Sequence, residues 1–247
     1  YLPATDLMLD LARLEVGSRV LDIAAGDCDQ SIAASKRVGP IGCVLAIDIA
    51  EELLVLGGRF ARESGFQNIE TQVMDGGNLD LPDDSFDAVI CRFALMYLDD
   101  PVSGLRGMKR DLKPNGRISV VVYGVNGSLE FARAVSVVRQ RLGIPQVQSP
   151  AHSLGEEAVL RQSLVEGGFS EIELHALDLP MRMASAEECV RYLQATSPTL
   201  KELTSPLSPD DRKKIWSEVQ ETLAVFEGER SFEVTHKVVV AAGTRLL

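Results

Sequence analysis

The sequence is short of cysteine: Cys28, Cys43, Cys91 and Cys189 lie scattered through 247 residues, with no Cys-x-x-Cys spacing. That argues against a zinc ribbon or a disulfide framework and for free thiols in a reducing compartment. No apolar run is as long as a membrane span, and the start shows no basic-then-apolar signal. Positive charge is short too, with 25 Lys and Arg against 36 Asp and Glu and a net charge of −11. No basic run offsets this, so the phosphate contacts that nucleic-acid binding needs are missing, and anionic membranes are disfavoured. A neutral or cationic small molecule suits such a surface. The expected location is the cytoplasm. Tyr1-Leu2-Pro3 reads like the middle of a helix, which suggests a native segment ahead of it.

Composition is otherwise ordinary, with 45% hydrophobic and 25% charged residues. The length suits one domain with an elaboration better than two equal domains. The informative stretch is Arg19-Val-Leu-Asp-Ile-Ala-Ala-Gly-Asp-Cys-Asp-Gln30. Val20, Leu21 and Ile23 make one short buried strand. It ends in Ala24, Ala25 and Gly26, and a helix over Asp29 to Val38 follows. A strand that stops in a small-residue turn and feeds a helix gathers backbone N–H groups and a positive helix end at one point. The next strand, Val44 to Asp48, ends in a carboxylate at the distance where dinucleotide folds bind ribose hydroxyls.

The remaining chain alternates strands and helices. Leu7, Leu11 and Leu14 give an opening helix. Glu51 to Ser64 reads as a helix facing inward through Leu53, Leu54, Leu56 and Phe60, weakened by Gly57-Gly58. Strands are expected at Ile69 to Met74, Phe86 to Cys91, Arg117 to Tyr123, Phe169 to Leu177 and Ser231 to Ala242. Asp99-Asp100-Pro101 starts a helix that runs to Lys113. Phe131, Val135, Val138 and Leu142 mark another, and Ser153-Leu154-Gly155-Glu156 is a capping-box start. The inward residues of the Asp29 helix are expected to be Ile32, Ala33 and Val38. The pattern gives a single α/β domain over 1–247, with a doubly wound, mostly parallel seven-stranded sheet. A helical lid is expected over about 180–230, covering the carboxyl rim, with helix starts at Ser185 and Ser208.

The order of motifs resembles class I S-adenosylmethionine-dependent methyltransferases, and within them the small-molecule branch of the ubiquinone/menaquinone biosynthesis enzymes. The resemblance rests on Val20 to Gly26, Ala46-Ile47-Asp48-Ile49, Asp75-Gly76, Leu81-Pro82-Asp83-Asp84-Ser85-Phe86-Asp87, Arg92 to Tyr97, and Leu112 to Arg117. It implies S-adenosylmethionine as cofactor, S-adenosylhomocysteine as product, and methyl transfer to O, N or C of a small-molecule acceptor. It further implies that Asp22 orients the turn, that backbone at Ala24, Ala25 and Gly26 holds the methionine part, and that Asp48 accepts both ribose hydroxyls. Asp75 would accept from the adenine amino group beside the Gly76 N–H, and backbone at Cys91 and Arg92 would meet the ammonium. Gln30, Ile49 and Met74 complete the implied cofactor set.

Three departures from the usual Gly-x-Gly-Thr-Gly stand out. Alanine at position 24 is expected to cost little, whereas Cys28 puts a side chain where backbone normally passes close to ligand. Asp27 adds a carboxylate there. These changes motivate the alternative of an S-adenosylmethionine-binding enzyme, such as a cyclase, that does not methylate. A nicotinamide dehydrogenase would need Gly-x-Gly-x-x-Gly, and Cys28 and Ser31 stand in those places. Met96, Tyr97, Tyr123 and His152 are candidates for the acceptor pocket, His152 being also the candidate base; Met96 reads equally as core filler. His236 and His175 read as structural, Asp29 as a helix N-cap, and Trp216 as packing. No metal site is expected, and the sequence leaves the oligomeric state open.

Overall fold

A computed structural model describes residues 1–125, 127–146, 150–229 and 231–247. The Arg230 end of the expected lid and the middle of the Gly143–Ser153 loop lie outside them. Among the described residues seven strands form one sheet: β1 (Arg19–Ile23), β2 (Cys43–Asp48), β3 (Ile69–Val73), β4 (Phe86–Arg92), β5 (Leu112–Tyr123), β6 (Ser170–Met183) and β7 (Phe232–Thr244). Their order is β3-β2-β1-β4-β5-β7-β6. β1 pairs in parallel with β2 and β4, β2 with β3, and β4 with β5, while β7 runs antiparallel to β5. The strand order therefore reverses between β1 and β4, where an open α/β sheet forms its ligand crevice.

The helices α1 (Leu2–Leu11), α2 (Asp29–Val38), α3 (Glu51–Glu63), α4 (Pro101–Asp111) and α6 (Glu157–Glu166) flank this sheet, together with residues 150–177 and 238–247, as one compact unit. Its core is built on Leu21, Ile23, Ile47, Val89, Ile118 and Val120. These strands are apolar on both faces because helices cover both faces. Asp100 caps α4 by accepting from the Ser103 N–H at 3.0 Å, as its Asp-Pro start implies.

Several inward faces differ from the periodic reading. α2 buries Gln30, Ser31, Ala34, Ser35 and Val38, with Ile32 and Ala33 half-exposed. α1 buries Ala4, Met8 and Leu9 in place of Leu7, Leu11 and Leu14. α3 buries Leu54, Gly57, Gly58 and Ala61, while Leu53, Leu56 and Phe60 are 45%, 51% and 62% exposed. Small residues win these faces because the helix backbones press close to their neighbours. A Cβ at Gly57 would stand 2.4 Å from the Asp27 carbonyl oxygen, and one at Gly58 would stand 3.1 Å from Thr71 Cγ2.

Strand ends also move. β5 begins at Leu112 rather than Arg117, because Leu112 pairs with Phe86 before an irregularity that takes up Pro114-Asn115-Gly116. β6 continues to Met183 through Pro180, which an edge strand tolerates. The capping box expected at Ser153 does not form: Glu156 is the N-cap of α6, without a side-chain cap.

Residues 125–149 and 178–237 form a second compact unit holding α5 (Leu129–Arg141), α7 (Ala186–Thr196), α8 (Pro198–Thr204) and α9 (Pro209–Leu223). It takes in α5 as well as the expected insert. Val138, Leu193, Trp216, Val219 and Leu223 are buried in its own core, so Trp216 packs as expected. Ser185 and Ser208 cap α7 and α9. α8 escaped the periodic reading because seven residues hold too few turns to show a stripe, although Ser197-Pro198 is a start signal. His236 is buried and 2.8 Å from Glu130, a structural pair. His175, by contrast, is exposed, because its stretch of β6 lies on the open edge of the sheet.

Candidate cofactor site

The sheet delivers four strand ends to one rim. Ile23 of β1 lies level with Ile47 of β2 and Cys91 of β4, and Asp48 lies level with Val73 of β3. Beyond β1 the chain turns through alternate left-handed residues, Ala24 at φ 54°, Gly26 at φ 56° and Cys28 at φ 63°. Glycine takes this conformation freely, whereas each of the other two costs on the order of 1–2 kcal/mol. Ala24 is thus more expensive than its sequence suggested, and strain gathers at this rim.

Asp48 holds the turn in place. Its Oδ2 accepts from the Gly26 N–H and its Oδ1 from the Ala50 N–H, both at 2.8 Å. Each carboxylate oxygen keeps a further lone pair for another donor. A Cβ on Gly26 would meet nothing within 4 Å, so the turn faces open space. Ile49 beside it is 74% exposed, an apolar surface next to the carboxylate. The Met74 N–H donates to the Asp48 carbonyl at 3.0 Å, which binds the end of β3 to the same rim. Asp75 is exposed, with Oδ1 held by the Gly77 N–H at 2.8 Å. A Cβ at Gly76 would stand 2.5 Å from Ile23 Cγ2, so the chain after β3 crosses directly over the end of β1. Gly26, Asp48 and Asp75 therefore share one rim.

Asp22 and Gln30 lie beneath the rim rather than on it. Asp22 is fully buried and accepts from Gln30 Nε2 and, at 2.5 Å, from Ser31 Oγ. Burial pushes its carboxyl up to about 7, against the opposing effect of the Ser31 and Gln30 donors and the Arg92 charge. Gln30 Oε1 is buried with no hydrogen-bond partner among the described residues. Cys28 turns its thiol under the turn: its Sγ would lie 2.9 Å from a Cβ on Gly57. Burial above all, and then the Asp22 charge, pushes that thiol up to about 11. Cys91, in the core below β4's end, is pushed up to about 12 by burial. Both are packing residues, as neutral thiols make poor nucleophiles.

Asp29 is not the N-cap of α2; that position falls to Cys28, with no side-chain cap bond. The Asp29 carboxylate accepts instead from the Gln30 N–H at 2.7 Å and from the Arg92 guanidinium at 2.5 Å. Arg92 also donates to Thr5 Oγ1 at 2.7 Å. Its side chain thus ties the end of β4 to α1 and α2, a link across 63 residues that spacing cannot reveal.

Beside Arg92, an aromatic group sits at the ends of β4 and β5. Phe93, left-handed at φ 58°, stacks on Tyr123 with centroids 4.5 Å apart and planes at 19°. Tyr1 meets Phe93 edge-on at 4.6 Å, and its hydroxyl is 3.0 Å from that of Tyr123. His152 approaches Tyr123 edge-on at 6.3 Å. Tyr123 and His152 thus come together, joined by Phe93 and Tyr1, which sequence reasoning passed over. The signal for Phe93 was there, since it directly follows a strand paired with the one that Tyr123 ends. Met96 is 3% exposed and belongs to the core, and Tyr97 is half-exposed on the short turn after β4.

Among the described residues, no helix is long and apolar enough to cross a membrane, and no cluster of His, Cys, Asp and Glu is suited to a metal ion.

Comparison with known proteins places this rim in context. The pattern of the ubiE/COQ5 methyltransferase family matches residues 5–137, which carry Gly26, Asp48, Asp75 and Arg92 but neither Tyr1 nor His152. A demethylmenaquinone methyltransferase of Listeria welshimeri is 34% identical over 113 residues, 46% of this chain and 48% of the relative. The chain thus spans about half the length of the Listeria relatives it matches. A ubiquinone/menaquinone biosynthesis C-methyltransferase UbiE of Pseudomonas putida is 37% identical over 181 residues, 68% of this chain and 71% of the relative. The fold is that of the YcgJ protein from Bacillus subtilis, with a TM-score of 0.67 and 22% identity over the full length of both chains. The strand order, the turn after β1 and the carboxylate at the end of β2 accordingly have one family to belong to, and the chain is a member of the ubiE/COQ5 methyltransferase family.

Proposed function

We propose that this chain is an S-adenosylmethionine-dependent methyltransferase that acts on O, N or C of a small-molecule acceptor and releases S-adenosylhomocysteine. The observation that carries the reading is Asp48, which fixes the turn through Gly26 and Ala50 yet keeps lone pairs for a ribose diol. The rim suits the rest of the ligand. Ile49 offers an exposed apolar face for a purine, and Asp75 offers an acceptor for an exocyclic amino group, with Met74 and Gly76 beside it. Ala24, Ala25 and Gly26 present backbone to the methionine part. Asp22 and Gln30 act from below by holding the start of α2, and Arg92 by holding α1 and Asp29.

The bound cofactor supplies an electrophilic methyl group on a sulfonium. The chain's own work is alignment and exclusion of water, which dominate an in-line displacement. Phe93 and Tyr123 stack into an aromatic wall beside the rim, with the His152 ring edge-on to Tyr123. His152 is the group we assign to take a proton when the acceptor has one to lose. The non-methylating alternative rests on Asp27 and Cys28 together, and of these the Cys28 thiol turns away from the open face of the turn.

Isothermal titration with S-adenosylmethionine and S-adenosylhomocysteine, followed by mass spectrometry of an acceptor panel, tests the proposal. The names of the relatives put demethylmenaquinone and other carbon acceptors first in that panel. Binding together with acceptors heavier by one CH₂ unit is the expected result. Tight binding without any methylated product would favour the cyclase-like alternative, and no binding would overturn both.

A further inference from the structure

α3 spends its large apolar residues on the wrong side for a core. Leu53, Leu56 and Phe60 recur at helical spacing on one outward stripe and are 45%, 51% and 62% exposed. The inward face is made of Gly57, Gly58 and Ala61 with Leu54, and it is already filled, since a Cβ at Gly57 would run into the Asp27 backbone. No rearrangement of α3 can bury the stripe without lifting the helix off the turn. The stripe lies beside β3, the edge of the sheet, whose Glu70, Thr71, Gln72 and Val73 are exposed as well. A contiguous apolar stripe in a chain with net charge −11 calls for a cover.

The charges beside the stripe indicate which cover. Glu52 lies one helical turn before Leu56 and Arg59 almost one turn after it, on the same flank of the helix. Two α3 helices laid antiparallel about a two-fold axis at Leu56 bring Glu52 of each copy to Arg59 of the other, with Leu53, Leu56 and Phe60 meeting between them. A two-fold contact must be self-complementary in this way. We infer that the α3 stripe is the interface of a symmetric homodimer, each copy covering Leu53, Leu56 and Phe60 of the other. This is independent of the methyl-transfer reading, because none of these side chains is part of the cofactor rim.

Sedimentation velocity and light scattering of the whole chain test it. The expected result is a dimer at tens of micromolar, shifted to monomer by Leu56→Glu combined with Phe60→Glu. Glu52→Arg and Arg59→Glu should each weaken the dimer by about tenfold or more, and the double reversal should restore it. These charge variants lie on an exposed flank and leave folding intact, which circular dichroism verifies. A wild-type monomer at about 100 µM overturns the inference. So does a dimer indifferent to the Leu56 and Phe60 changes, or a double reversal that fails to rescue. A monomer that instead binds phosphatidylcholine vesicles through Leu56 and Phe60 also overturns it and gives the stripe to a lipid surface.

Discussion

Gly57 of α3 stands so close to Asp27 that a Cβ added to it would lie 2.4 Å from the Asp27 carbonyl oxygen and 2.9 Å from Cys28 Sγ. The turn that departs from its family's glycine pattern at Cys28 is therefore matched by a glycine on the opposing helix. A side chain has been gained on the turn, and the space for it lies where α3 has none.

Gly57→Ala should push the turn off α3, since the obstruction is backbone and cannot rotate away. Overpacking of this kind costs about 1–3 kcal/mol. The expected outcome is a melting temperature lower by several degrees, with S-adenosylmethionine affinity reduced about tenfold or more. Gly26→Ala is the control for the melting temperature alone. Its Cβ would meet open space in the unliganded chain, so only the left-handed conformation is penalised there, at about 1 kcal/mol. Calorimetry showing that Gly57→Ala binds and melts like wild type would remove the bracing role.

Asp48→Asn should weaken S-adenosylmethionine binding by about a hundredfold, read by isothermal titration. The amide keeps only one acceptor oxygen and turns an N–H donor toward either Gly26 or Ala50, whose own N–H groups need an acceptor. Asp75→Asn should cost less, about tenfold, because the proposed reading gives the exposed Asp75 a single ligand contact beside its one local turn bond. Equal effects of the two substitutions would place the ligand differently on the rim.

Alkylation with iodoacetamide at pH 8 should label Cys43 and spare Cys28, Cys91 and Cys189. The three spared thiols are buried and pushed up to about 11 or 12, foremost by burial, while Cys43 is half-buried. Mass spectrometry after unfolding should then find all four labelled. Rapid native labelling of Cys28 would mean that the turn opens away from α3.

How legible was this in the sequence? The succession of strands along the chain and the rim followed from local signals: a short apolar strand ending in small residues, then a second ending in Asp48, needs no distant partner to be read. Helix limits such as Asp29–Val38 were equally local. What escaped was set by close approach across the chain. Leu53, Leu56 and Phe60 looked like a core stripe because periodicity records which residues share a face, not which face the fold can bury. Gly57 and Gly58, read as weaknesses, are what lets α3 sit down on the turn. Phe93 and Tyr1 joined Tyr123 only through tertiary packing, and the Arg92–Asp29 pair likewise has no spacing signature.

The most direct test of the buried network is the pH dependence contributed by Asp22. Its carboxyl is held at about 7 in the folded chain against an ordinary value of 3.8, with burial as the chief cause. The folded state therefore binds this proton more tightly than the unfolded state. The stability it contributes is fully present below about pH 4, is lost as pH rises toward 7, and stays lost above it. Three units correspond to at most about 4 kcal/mol. Asp22→Asn removes the titration while keeping the shape, and Gln30 can turn its carboxamide so that Oε1, now without a partner, accepts from the new amide. Thermal melts from pH 5 to 8 should show wild type losing stability relative to Asp22→Asn as pH rises, with the gap levelling off above pH 7. Parallel curves over that range would mean that Asp22 is ionised throughout, held by Ser31, Gln30 and Arg92 against its burial.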